Sequence, residues 1–143
     1  MATYNKFQDF AEQIGKAIHD LDGTHTLKVA LTNTAPTAGQ ASWNTTDHPA
    51  PAAANGYTAG GTATTPTWSE TSGTAKLVLS DVVFTASGGQ IGPFRYVILY
   101  NDSATSPADA AIAWWDYGSS ITLNDGETFT VDFDATNGAF QLS

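Results

Sequence analysis

The sequence predicts a mainly β fold: an antiparallel β-sandwich or jelly-roll-like barrel with an N-terminal amphipathic helix and a long irregular loop. Three observations predict it. Residues 74–142 break into short apolar runs separated by Gly, Asn, Asp and Pro. Residues 5–21 instead show an apolar period of three to four residues. Residues 32–67 follow neither period and are rich in Thr, Ala, Pro and Gly. At 143 residues, one domain over 1–143 is the natural expectation, large enough for a core without disulfides.

The helix over 5–21 places Phe7, Phe10 or Ala11, Ile14, Ile18 and Leu21 on one face. Asn5 is the expected N-cap, with Gln8 as its capping-box partner. Gly15 costs about 1 kcal/mol relative to Ala, so the helix needs a surface to lean on. That surface is either an open edge of the chain's own sheet or a neighbouring subunit. Asp20-Leu21-Asp22-Gly23 ends the helix, and Thr26–Leu31 alternates as the first strand.

From Val29 to Ser69 the one formal charge is Asp47. Pro36, Pro49, Pro51 and Pro66 interrupt regular pairing, and at most a turn or two of helix fits at 49–54. Trp43, Tyr57 and Trp68 are costly to leave wet. They anchor this loop on its own domain, or on a partner as a binding arm.

Strands are expected at 75–79, 82–86, 94–100, 111–117 and 128–134, with a short edge strand at 138–142. The run Phe94–Tyr100 is apolar on both faces and reads as central. Residues 101–107 read as a connection, and Gly118 as a strand end. Asp125-Gly126 predicts a hairpin turn joining 121–123 to 128–134, with Phe129, Val131 and Phe133 inward. Trp114 and Trp115 take opposite faces: one is core, and the other needs cover.

Composition narrows the function. There are 14 acidic and 5 basic side chains, a net charge of -9, and no Cys. Thiolate metal sites, iron–sulfur clusters and cysteine nucleophiles are excluded. So few bases cannot form a broad phosphate-binding surface, so no direct nucleic-acid partner is expected. No run of 18 apolar residues occurs, so no spanning helix and no membrane partner are expected. The polar N-terminus lacks a signal-peptide core, which implies synthesis in a cytosol. His19, His25 and His48 form no catalytic constellation, and Asp47 beside His48 is not a base with its orienter. Asp132 with Asp134, and Asp125 with Glu127, offer oxygens for calcium, but no twelve-residue calcium loop is present. Outward Asp on a strand is an ordinary guard against edge pairing. Neither a cofactor, a metal nor an enzyme activity is expected.

Three blocks carry a resemblance. Tyr4–Phe7 with Thr26–Pro36, Ile91–Asp102, and Leu123–Phe133 together resemble small structural proteins of tailed bacteriophages, in particular capsid decoration or cement proteins. The resemblance implies a virion protein made in the host cytoplasm and placed on the capsid surface. It implies the major capsid protein as partner, and a homo-oligomer, dimer or trimer, that bridges capsid subunits. Tail, head-tail or fibre-associated components share the layout. The alternative from another class is a carbohydrate-binding β-sandwich. The candidate contact residues are Phe7, Phe10, Ile14, Trp43, Tyr57, Trp68, Trp114 and Trp115. A glycan binder would leave two exposed rings roughly coplanar beside Asp, Asn or Gln.

Overall fold

The computed structural model describes residues 2–143 and is built of antiparallel sheets with one short helix. The strands are β1 (Tyr4–Lys6), β2 (Leu27–Thr32), β3 (Thr62–Thr64), β4 (Pro66–Thr71), β5 (Thr74–Leu79), β6 (Val82–Thr85), β7 (Ile91–Thr105), β8 (Ala108–Leu123), β9 (Thr128–Val131) and β10 (Phe140–Leu142). The helix α1 is Asp9–Gly15. One sheet has the order β1-β8-β7-β2-β3, a second β10-β5-β4, and a third pairs β6 with β9. The five-stranded sheet is open, with β1 and β3 at its edges, so the barrel alternative is corrected: no closure occurs among the described residues.

The long hairpin β7–β8 is the spine. Its strands run through the stretches expected as a connection (101–107) and as a strand end (Gly118), and turn at Ser106-Pro107. Residues 101–105 stay in the strand because their backbone is used: Asn101 pairs with Ala110, and Thr105 with Ala108. Asn101 also pairs with Leu27. A bulge between Leu99/Ala113 and Tyr100/Ala111 leaves Ile112 unpaired in the ladder. The Phe7 N–H donates to its carbonyl at 3.1 Å.

The helix is shorter than its periodicity predicts. Tyr4–Lys6 pairs with Ala113–Trp115, so these backbone groups are satisfied by the sheet rather than by a helical turn. Asn5 is therefore a strand residue whose amide donates to the Thr3 carbonyl, 2.9 Å away, and no side-chain cap forms. At the other end Gly15 closes α1, and Ala17 takes a positive φ of 56°. Leu21 is still buried, now from a turn.

The loop is irregular from 33 to 61 and then joins the sheets as β3 and β4. Pro66 opens β4, an edge strand, where its missing N–H costs no ladder bond. No helix forms at 49–54. The Asp125-Gly126 turn also departs from expectation. It joins β8 to β9, but β9 pairs with β6 rather than β8. The Ala86 N–H bonds the Glu127 carbonyl at 2.9 Å, which draws the chain toward β6.

Two apolar clusters result. Leu27, Val29, Leu31, Val97 and Leu99 on the inner face of the large sheet pack with Leu77, Leu79, Val82 and Phe84. On the outer face Phe7, Ala30, Trp43, Ile98, Tyr100 and Ala111 form the second cluster, with Trp114 against it. Each fully buried Phe or Leu contributes roughly 1.5–3 kcal/mol.

Candidate partner-binding cleft

The expected contact aromatics divide between the two clusters. Phe10 and Tyr57 lie in the inner core, with Ile14, Trp68 and Trp115 packed against it. Phe7 and Trp43 lie under the outer cover, beside Trp114. Phe7 and Trp114 meet at 4.6 Å between centroids, and Phe10 meets Phe140 at 5.3 Å. The Tyr57 hydroxyl accepts the Leu31 N–H at 3.1 Å, and Trp68 stacks on Phe140. The side chains of Phe7, Phe10, Trp43 and Tyr57 are thus spent on their own chain.

Of the eight, Trp115 reaches an open cleft of about 680 Å³. The cleft lies between the β1/β8 side of the large sheet and β9 with the residues after it. Tyr4, Trp115 and Tyr117 form one wall; Phe129, Val131 and Phe133 form the other. Strand alternation places them: 115 and 117 share a face of β8, and 129, 131 and 133 share a face of β9 and its extension. Tyr117 is 53% exposed, with Phe129 against one edge of its ring. The other members were legible only in part. The inward set 129/131/133 follows from alternation, but Tyr4 precedes the helix expected over 5–21 and has no strand pattern of its own.

The rings meet edge to face. Tyr4 and Trp115 are 5.7 Å apart at 65°, Trp115 and Phe133 5.5 Å at 69°, and Tyr117 and Phe129 5.6 Å at 76°. Such crossed rings favour a ridged apolar surface over the flat platform that stacks a sugar. The Tyr4 hydroxyl is buried, and burial pushes its pKa up to about 12. It stays a neutral phenol at the cleft.

Acids border the cleft. Asp134 accepts from the Thr136 and Asn137 N–H groups at 2.8 and 2.9 Å and from the Asn137 amide at 2.7 Å. These Asn137 and Thr136 bonds hold its carboxyl below the usual range. Asp132 is exposed. The other acids considered for calcium spend oxygens on local donors: Asp125 on the Gly88 N–H, and Glu127 on the Asn124 N–H. Among the described residues, no group of three or more His, Asp or Glu could hold a metal ion. Asp47 accepts from Asn44 and His48 bonds Gln40, so these neighbours in sequence have separate partners. No described helix is long and apolar enough to cross a membrane.

No family model matches this chain, and neither a curated protein nor a solved structure matches it.

Proposed function

We propose that this chain is a non-enzymatic structural protein of a tailed-phage virion. It decorates the capsid exterior as a homo-oligomer and cements neighbouring major capsid subunits. The observation that carries the reading is the half-open aromatic cleft between β8 and β9. A partner side chain or loop seated there would cover Tyr117 and fill an apolar space bordered by carboxylates. The three blocks of resemblance support it by their placement. They supply β1 and β2, the first part of β7, and the 123–133 segment that forms one cleft wall. The body reads as a two-layer β-sandwich, the large sheet over β4–β5–β10 and β6–β9, a rigid frame suited to presenting such a surface. Symmetry on a shell would multiply a modest contact into firm attachment.

Crossed rings in the cleft weigh against the carbohydrate reading. The test is a cryo-EM map of the intact virion. Density for this fold on capsomers, with the β8–β9 cleft toward a capsid subunit, supports the proposal. Density confined to the tail or the head–tail joint overturns the decoration role.

A further inference from the structure

All three histidines lie outside the strands, in the segments that cover the sheets. His19 and His25 flank the turn after α1, and His48 lies in the long loop. Each is held by a side-chain amide, and the partners fix which ring nitrogen carries hydrogen. The Gln13 amide nitrogen donates to Asp9 (2.6 Å) and to the Ala41 carbonyl (3.1 Å). Its oxygen is therefore the acceptor for His19 Nε2–H at 2.7 Å. His19 Nδ1 is then bare and faces the Asn101 amide nitrogen at 3.1 Å. The same amide nitrogen faces His25 Nδ1 at 3.0 Å, which also accepts the Asp20 N–H. Asn101 cannot turn round without loss, because its oxygen accepts the Ser103 N–H. Gln13 and Asn101 are 2% and 0% exposed. At His48, the Gln40 oxygen accepts both the Thr37 N–H and the ring Nε2–H. His48 Nδ1 is bare, buried and without a hydrogen-bond partner.

A second proton has no acceptor at His19, and at His48 only the Asn44 backbone stands near it. On His19 it would set N–H against the Asn101 NH2. On His48 it would bury a cation whose desolvation the Asn44 backbone offsets only in part. We propose that His19 and His48 are an acid-release clasp. Their protonation frees residues 7–25 and 33–48 from the sheets and bares the outer face formed by Ala30, Ile98, Tyr100 and Trp114. The links that part are the ones bridging segments: Gln13 joins α1 to Ala41, and His19 joins the turn to Asn101 of β7.

The surrounding charges do not rescue the protonated form. Facing His19 are His25, which repels, and Asp9 on α1, which attracts. Asp20 and Asp22 line the adjoining cavity, and β4 contributes the uncharged Trp68 there. On β7 the neighbouring Asp102 is occupied by Lys28. His48 has Asp47 beside it, already bonded by Asn44. Burial outweighs these attractions and lowers the pKa of His48, and that of His19 to about 4. The released chain takes its proton from about pH 6.5 downward. Stability of the covered state is therefore unchanged above that pH and falls as pH drops toward 4. From the value of about 4, His19 alone raises the opening equilibrium roughly 60-fold between about pH 7 and 4.5.

Hydrogen–deuterium exchange on the full chain, corrected for the intrinsic pH dependence, tests this. The reporters are the Phe7, Gln8 and Trp43 amides, which bond Ile112, Ala38 and Asp109. Between about pH 7 and 4.5 they should lose protection by roughly 60-fold or more while the paired amides of β7 and β8 hold. Uniform loss across the chain, or no loss, overturns the clasp. The double variant His19→Gln and His48→Gln copies the neutral donor–acceptor pattern without a titrating group at either clasp site and should stay closed; the same acid response in it overturns the proposal. Should that variant fold poorly, proton NMR titration of the unaltered protein decides. A His19 midpoint near 4 supports the clasp, and one near 6.5 overturns it.

Discussion

The indole of Trp43 lies flat on the ring of Tyr100, with centroids 4.7 Å apart and planes 13° from parallel. On the same side chain, the Tyr100 hydroxyl donates to the Gly60 carbonyl at 2.7 Å. One residue of the central strand thus holds both ends of the long loop. Trp43→Ala should cost about 3 kcal/mol, since it opens a cavity under the cover. Tyr100→Phe keeps the stack and leaves the Gly60 carbonyl unpaired, for about 1–2 kcal/mol. Urea unfolding of the two variants checks the order. Equal losses would mean that the stack contributes little.

Gly61 shows how tightly that loop is drawn in. Its φ is 82°, and a Cβ there would strike the Val29 carbonyl on β2. Gly73, in the β4–β5 turn, has a similar φ of 84° but open space around it. Gly73→Ala should cost about 1 kcal/mol from backbone strain alone. Gly61→Ala adds a clash with backbone that is locked in two ladders, so it should lose at least about 3 kcal/mol. Chemical denaturation midpoints compare them; matching midpoints would refute the close approach.

Strand positions were largely legible because alternation and turn residues are local signals. Phe94–Tyr100 shows its central place through apolarity on both faces, and β7 does lie between β8 and β2. Pairing was not legible. Asp125-Gly126 looks like a hairpin turn, but β9 chooses β6 because Phe129 and Val131 then face the core between the layers. The helix starts later than its cap signal implies for a similar reason: Asn5 has a capping residue's chemistry, but a free edge on β8 competes for the same backbone. The cleft is assembled from strands distant in sequence, and only Trp115 among its members had stood out as an aromatic in need of cover.

Tyr117 is the cleft residue to alter first, because it is exposed and touches mainly Phe129. Tyr117→Ala should reduce stability by about 1 kcal/mol through the lost edge-to-face contact. If a capsid subunit fills the cleft, affinity for decoration-free capsids should fall about tenfold or more. Co-sedimentation with purified capsids measures this. Full binding by a folded Tyr117→Ala protein would move the interface elsewhere.

Alkaline titration probes burial across both clusters at once. Of the five tyrosines, Tyr4, Tyr57 and Tyr100 all have phenols pushed up chiefly by desolvation, Tyr4 to about 12. The unfolded chain releases these protons near pH 10. For a group raised in the folded state, the stabilisation is complete below the unfolded pKa and is lost as pH rises through the folded one. Stability should therefore be flat up to about pH 10 and fall steeply above it, as the unfolded state binds fewer protons. Phenolate absorbance recorded with far-ultraviolet circular dichroism checks the coupling. Part of the absorbance should rise only together with loss of sheet signal. Complete ionisation of all five while the sheets persist would show that these three rings are open to solvent.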